Sequence, residues 1–428
     1  EKTTQARLNA LQTERINFLL SHAIKNIPFY KERVKKITDP VLSDFPVLTK
    51  QDIRNHYLDL MTPELRSEYQ TGKKKFGYSW IEVKTGGSTG IPTSVIHDRK
   101  FRDRGRAARL YSQYLCGFPF GTPYFKCWGS MRDINQTKDS FKNRIMSFLS
   151  MEILLNAFKM NDEDIAQYIK MINNSKISHI MGYVDAVYQI ARYIQKTDTK
   201  IKPVKSIMAC AGTVTDDIRT LIEKTFGAKV HNKYGSRDCA DMVCECDKGG
   251  LHIYSNYILI EVVDSMGNPL SSGEKGRILV TLIGNISFPL IRYEIGDIGA
   301  LSCKSCECGR PFPLMEHLEG RTVEFLVNSN GGYVTPAYII HLIGVVHNPG
   351  FIKRFQLIQL SLKNLELKLE LETNVSDKIY QKAIANIIKD LKTVFGEDCN
   401  ILHEILQDIP ETDSGKFLYT INKYKKIS

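Results

Sequence analysis

The tract Thr85-Gly86-Gly87-Ser88-Thr89-Gly90-Ile91-Pro92 concentrates residue types that can hold phosphate. Three glycines and three hydroxyl residues fill its first six positions. Glycine lets the backbone close tightly on an anion and aim N–H groups at it, and the hydroxyls add donors. No Gly-Lys-Ser/Thr follows, so this is not a Walker A loop. A Gly/Ser hairpin turn would draw on the same residues. A second cluster is built on sulfur. The chain has ten cysteines, and they crowd between Cys239 and Cys308. Cys246 and His252 stand close in sequence, and Cys303, Cys306 and Cys308 form a Cys-x-x-Cys-x-Cys group. Thiolates and imidazole at this density suit tetrahedral Zn2+. Unliganded thiols would look similar, and Cys239, Cys244 and Cys303 compete for any ligand role.

Both clusters need a scaffold. The 428 residues exceed one ordinary core, so one large and one small domain are expected. Hydrophobic content of 43% and charged content of 25% are those of a soluble globular protein. The longest apolar runs, such as residues 338–346, are too short to span a membrane. No signal peptide is legible, and cysteines spread so widely do not form a disulfide framework. Together these point to a reducing, cytoplasmic compartment. The net charge of +11 suits an anionic ligand, and a lysine-rich solvated surface produces it equally well.

The pattern predicts mostly helix over residues 1–75, with a break at Pro28. A strand over 80–84 leads into the Gly-rich tract, and 95–97 form the return strand. A basic helix follows over 98–116, with Arg99, Arg102, Arg104, Arg106 and Arg109; it reads as a solvated face. Strands then alternate with helices: strand 124–128, helix 161–173 capped by Asn161, strand 177–181, a turn at Gly182-Tyr183, helix 184–195. Strand 205–209, the turn Ala211-Gly212-Thr213 and helix 216–226 continue the alternation. It implies an α/β fold with a parallel sheet and a ligand at the carboxyl ends of its strands. From Leu251 the texture turns β-rich, with strands over 257–263, 276–282 and 290–293. The last hundred residues read as α+β. Leu365, Leu367, Leu369 and Leu371 alternate with charged residues as a half-buried strand does. A helix capped by Ser376 and ended by Gly396 follows, then a strand over 401–406 and a loop over 411–416.

Four stretches, in this order, resemble the adenylate-forming (acyl-CoA synthetase) superfamily. They are the Gly-rich tract, Tyr234-Gly235-Ser236-Arg237-Asp238, Arg292-Tyr293-Glu294-Ile295-Gly296-Asp297, and Lys416 in Ser414-Gly415-Lys416. The run Asn285-Ile286-Ser287-Phe288-Pro289-Leu290-Ile291, together with Gly182-Tyr183, narrows the resemblance. It points to the phenylacetate–CoA ligase branch with its capsular-polysaccharide-associated relatives. The resemblance covers roughly residues 80–420, nearly the whole chain. It implies a large adenylation domain over 1–320, with mostly parallel sheets and a β-rich subdomain. It also implies a small mobile α+β domain over 321–428, hinged at Gly320-Arg321.

The resemblance assigns roles. Thr85, Gly86, Gly87 and Gly90 would cradle the β,γ-phosphates of ATP, with Ser88 and Thr89 as hydroxyl donors. Asp238 would hold Mg2+. Asp297 would accept both ribose hydroxyls, and Arg321 would reach ribose or phosphate. Ala211, Gly212, Thr213, Tyr234, Gly235 and Ser236 would surround the adenine. Trp128, Gly129 and Tyr183 would line the acid pocket. Lys416 would neutralise charge as pyrophosphate leaves. Relatives with a structural zinc use a Cys-x5-His and a Cys-x-Cys, which implies Cys246, His252, Cys306 and Cys308 here. Four protein ligands make such a site closed and structural. The chain departs from the family pattern in three places: Ile91 where many relatives have lysine, Asp238 for glutamate, and Val323 with Glu324 for the hinge aspartate. The function implied is activation of a small carboxylic acid to acyl-AMP, then transfer to a thiol, CoA. Transfer to an amine or a carrier protein is the alternative. A zinc-containing nucleic-acid binder would fit the charge and the cysteines. It leaves Asn285, Asp297 and Lys416 unexplained and lacks interleaved aromatics.

Overall fold

The structure is a computed structural model that describes residues 3–34, 37, 39–74, 80–84, 93–129, 151–157, 160–212, 214–319, 326–329, 333–334, 336–348, 351–372, 377–409 and 418–424. Thr4 accepts the Arg7 N–H and starts helix α1 (Gln5–Asn26). Pro28 sits at the first position of α2 (Pro28–Arg33), where its missing N–H costs nothing. The sequence break at Pro28 therefore separates two helices. Thr49 and Asp52 form a capping box that opens α3 (Lys50–Asn55), and α4 (Pro63–Thr71) follows. Strands β1 (Trp80–Lys84) and β2 (Ser94–Asp98) pair antiparallel, with Lys84 opposite Ser94. Asp98 then caps α5 (Arg99–Leu115). On that helix Arg99 and Arg106 are exposed, while Arg104 packs against Gly284.

Next come β3 (Tyr124–Trp128), β4 (Glu152–Asn156), α6 (Asp162–Asn174), β5 (His179–Tyr183), α7 (Val184–Thr197), β6 (Ser206–Cys210) and α8 (Asp216–Phe226). The β-rich stretch holds β7 (Val230–Ser236), β8 (Ala240–Glu245), β9 (Leu251–Ile253), β10 (Leu259–Val263), β11 (Gly276–Thr281), β12 (Tyr293–Ser302) and β13 (Leu314–Glu319). The remainder holds β14 (Leu326–Val327), β15 (Tyr333–Val334), α9 (Pro336–His341), β16 (Ile352–Gln359), β17 (Asn364–Leu371), α10 (Asp377–Phe395), β18 (Asn400–Leu406) and β19 (Thr420–Asn422).

The chain divides into two units. The first takes the described residues of 1–85, 93–116 and 231–320. Its strands run β10-β11-β12-β13-β9-β8-β7, with antiparallel neighbours. The Asn285 run works here as a staple. The buried Asn285 amide donates to the carbonyls of Ile96 and Phe288, each at 2.7 Å, and accepts the Asp98 N–H at 2.9 Å. Asp98 in turn accepts the N–H groups of Ile286 and Ser287. One loop thus fixes the join between β2 and α5.

The second unit holds the described residues of 117–230 and 321–428. Its α/β part orders parallel strands β6-β5-β3-β4. Ile180, Ile207, Val187, Ile190, Ile222 and Phe226 lie in its buried core. Its last part is a four-stranded sheet ordered β18-β17-β16-β19, cored with α10 by Leu357, Leu367, Ile387 and Leu391. Gly396 ends that helix at φ +123°, and Ser376 lies outside the described residues.

Two readings need correction. Gly182 and Tyr183 continue β5 and are not a turn. Gly182 lies opposite Cys127, and a Cβ there would stand 2.6 Å from the Cys127 Cβ. The glycine serves strand packing. Leu290, Ile291 and Arg292, read as part of a strand over 290–293, lie outside β12, where Arg292 adopts φ +51°. Strands β4, β8, β13 and β16 were not legible. In β8 the charged Asp241 and Glu245 and the single Cys244 masked the pattern: all but Ala240 are buried, so no alternation survives.

Candidate active site and metal centre

Two irregularities of the first unit aim two aspartates. Opposite Ile278 of β11, strand β12 places three residues, Ile295, Gly296 and Asp297. Gly296 takes φ +92° to make this bulge. Bulges re-aim side chains, and Asp297 receives the Tyr234 hydroxyl at 2.8 Å. On the other motif, β7 and β8 join through Arg237, Asp238 and Cys239, with the Ser236 hydroxyl accepting the Cys239 N–H at 3.1 Å. A Cβ on Gly235 would lie 2.5 Å from the Ala240 carbonyl oxygen, so only glycine admits this hairpin. The turn buries Asp238 to 4% exposure, where it accepts the Tyr293 hydroxyl at 2.6 Å.

The two motifs are therefore interlocked. Each contributes a tyrosine that donates to the aspartate of the other. Burial first, and the Asp297 charge second, hold the Tyr234 phenol far above its ordinary pKa. It stays a neutral donor. Lys50 donates to the Ile295 carbonyl at 3.3 Å inside the bulge. Arg292, singled out only as part of a motif, proves architectural. It pairs with Glu261 at 3.2 Å and donates to the carbonyls of Phe45 and Gly267. The role of Tyr293 was missed in the sequence, where it was only a letter of the motif.

The second unit gathers the acid-pocket candidates at the carboxyl ends of its parallel strands. The rings of Trp128 and Tyr183 lie 4.4 Å apart, and the Tyr183 hydroxyl donates to the Gly129 carbonyl at 3.0 Å. The rings end β3 and β5. Ala211 follows β6 at φ +57°. A Cβ on Gly212 would meet the Val184 Cβ at 3.0 Å and Asp185 Oδ1 at 3.5 Å. Sequence reasoning passed over Asp185. It lies in the first turn of α7, 6% exposed, and burial raises its carboxyl to about 7.

In the first unit, the sulfur cluster forms around the β8–β9 turn. Cys246 Sγ is 3.6 Å from Cys306 Sγ, and Cys308 Sγ is 3.1 Å from His252 Nε2. All four donor atoms lie within 4.8 Å of one another. Ligands about 2.3 Å from one tetrahedral ion would stand about 3.8 Å apart, so the donor set fits Zn2+. The backbone supports it. The Lys248 N–H points to Cys246 Sγ at 3.4 Å, and a Cβ on Gly250 would lie 2.5 Å from Cys306 Sγ. Burial raises the Cys246 thiol to about 12. Burial also acts to raise Cys308, but hydrogen bonds from the Arg310 backbone and guanidinium, with Cys306 and Cys246, outweigh it and lower that thiol. Burial lowers His252, which keeps it neutral as a ligand must be. The competing thiols lie elsewhere. Cys239 is buried beside Asp238, Cys244 lies 3.6 Å from Cys116, and Cys303 is exposed.

Thr85, Gly86, Gly87, Ser88, Thr89, Gly90, Thr213, Arg321 and Lys416 lie outside the described residues. So do the departures Ile91, Val323 and Glu324. Among the described residues no helix is long and apolar enough to cross a membrane.

Residues 326–423 match the family model of the CapK C-terminal domain. The chain is 28% identical to protein CapK of Staphylococcus aureus, over 97% of this chain and 89% of that protein. It is 24% identical to a phenylacetate-coenzyme A ligase of Thermus thermophilus, over 91% of this chain and 86% of that protein. A solved 2-hydroxyisobutyryl-CoA ligase, in complex with 2-HIB-AMP and CoA, superposes with a TM-score of 0.60 at 18% identity. That match covers 98% of this chain and 90% of the ligase. The fold is that of an adenylate-forming ligase.

Proposed function

We propose that this chain, a homologue of CapK and of the phenylacetate–coenzyme A ligases, activates a carboxylic acid with ATP and passes the acyl group to CoA. The observation that carries the reading is the contact from Tyr234 to Asp297, 2.8 Å across 63 residues of sequence. An ionised carboxylate has lone pairs beyond the one that Tyr234 uses, and the ribose hydroxyls would take them. Tyr234 orients that carboxylate and presents its ring face to the adenine. The carboxylate of the acid attacks the α-phosphorus of ATP, the acyl–O–P bond forms, and the bond to pyrophosphate breaks. N–H and hydroxyl donors of residues 85–90 and the Lys416 ammonium balance the developing charge. The thiol then attacks the acyl carbon and AMP leaves.

Asp238 would hold Mg2+ through its carboxylate, a single carboxylate being common for this ion beside phosphates. When bound, the ion screens phosphate charge. The four-residue sulfur cluster would hold zinc with no open position, so the zinc would brace the β8–β9 turn. CoA fits the relatives named above; an amine or a carrier protein is the other acceptor. The small domain, beginning near Arg321, would move between the two half-reactions.

The test is ATP–pyrophosphate exchange over aryl, fatty, amino and hydroxy acids, followed by thioester detection with CoA. Asp297→Ala should weaken ATP binding by about 2–3 kcal/mol, the cost of losing charged hydrogen bonds. Full nucleotide affinity in a folded Asp297→Ala protein would remove Asp297 from the site.

A further inference from the structure

Asp185 is a largely buried side chain whose carboxyl finds no partner among the described residues. It is 6% exposed, and among the described residues no hydrogen bond or ion pair reaches it. Burial alone perturbs it, with no cation contributing. Buried carboxylates are otherwise paired, because unpaired ones are costly to desolvate. The N-terminus of α7, a helix of 14 residues, offsets only part of that cost. The position is informative too. Two residues before it, Tyr183 packs on Trp128, and Asp185 Oδ1 faces the Ala211–Gly212 turn that ends β6. These are the carboxyl ends of parallel strands, where α/β sheets bind ligands.

We propose that Asp185 selects the acid substrate by pairing with an ammonium group on it, so that the enzyme adenylates an amino-acid-type carboxylic acid. This rests on the adenylation reading above. A cation is the complement that restores both the charge balance and the hydrogen bonds of a buried carboxylate. A hydroxyl restores only the latter. The acid's own carboxylate is the group that reacts, so the ammonium lies at the other recognised end of the molecule. Trp128 and Tyr183 supply aromatic faces, which also favour a cation over a second anion.

The probes are the protein amino acids and β-alanine, each set against its α-hydroxy and deamino isosteres. Exchange is measured as kcat/KM on wild type, Asp185→Asn and Asp185→Glu, with thermal unfolding as a folding check. Wild type should prefer an ammonium-bearing acid over its deamino isostere by on the order of 10²-fold or more, as expected when a buried polar group loses its partner. Asp185→Asn should collapse that ratio toward one, and Asp185→Glu should retain part of it. Should Asp185→Asn fail to fold, Asp185→Ser replaces it with the same readout. A wild-type preference for the hydroxy or deamino isostere overturns the inference and leaves adenylation standing. So does a ratio unchanged in Asp185→Asn. If no acid supports exchange, calorimetric binding of the same amino acids decides. Binding lost in Asp185→Asn keeps the ammonium site and fails adenylation, and no binding at all overturns both.

Discussion

Asp185 carries its cost into the pH dependence of folding. Its carboxyl lies at about 7 in the folded chain, against 3.8 ordinarily, because burial disfavours the charged form. A raised carboxyl means that the folded state holds a proton the unfolded state has released. Below about pH 4 both states are protonated and the residue costs nothing. Stability then falls as pH rises, and the full cost is present above about 7, on the order of 4 kcal/mol. Asp185→Asn removes this slope. The midpoint difference between variant and wild type should therefore grow in the variant's favour from pH 4 to pH 7.5, measured by urea unfolding. A constant difference across that range would mean that Asp185 is solvated or paired. The Tyr293–Asp238 pair makes a separate prediction. Tyr293→Phe leaves a buried carboxylate oxygen without its donor and should cost about 1–3 kcal/mol. If that variant unfolds at the wild-type urea concentration, another donor satisfies Asp238.

Among the elements, the β8–β9 turn shows what glycine does beside a cluster of thiols and imidazole. Gly249 turns the chain at φ +80° with open space around it, whereas Gly250 lies against Cys306 Sγ. Gly250→Ala should therefore lower zinc well below about one per chain and lower the thermal midpoint, since metal binding contributes to folding. Gly249→Ala strains the turn without crowding the thiolates and should keep its zinc. Elemental analysis of protein purified without chelators decides, and equal zinc in the two variants would remove the crowding argument. The choice of Cys246, His252, Cys306 and Cys308 came from family resemblance and matches the cluster that the fold assembles. The donor types were legible; the need for Gly250 was not, because it depends on a loop some fifty residues further along the chain. The α/β alternation was legible for a similar reason. Helix α8 and strand β3 carry local signals, a capping Thr215 and a short apolar run, so their limits were read correctly. Strand β5 was misplaced because Gly182 reads as a turn until Cys127 is known to face it. Strand β8 and the interlocked tyrosines were invisible because their burial and partners are set by pairing across the sheet. Asp185 was overlooked because an acidic residue in a first helical turn is ordinarily a solvated dipole partner.

The proposed chemistry asks groups far apart in sequence to act on one nucleotide. Asp297 sits in the first unit, while Lys416 belongs to the segment matched by the CapK C-terminal model. On the proposed chemistry both act on the same ATP, but at different times. Lysine suits a transient role, since its flexible stem delivers a point charge without fixed bidentate geometry. On that reading its work is confined to the step in which pyrophosphate leaves. Lys416→Ala should then lose acyl-AMP formation by on the order of 10²-fold or more, the usual cost of one preorganised electrostatic donor. Supplied with synthetic acyl-AMP and CoA, the same variant should form thioester at close to the wild-type rate. Asp297→Ala should impair both halves, because the ribose remains bound throughout. The paired assays are ATP–pyrophosphate exchange and single-turnover transfer from acyl-AMP. Full exchange activity in Lys416→Ala would detach this lysine from adenylation and leave the C-terminal segment in need of another role. Equal losses in both assays would instead place Lys416 at the nucleotide throughout, and the two half-reactions would then share one arrangement of the chain.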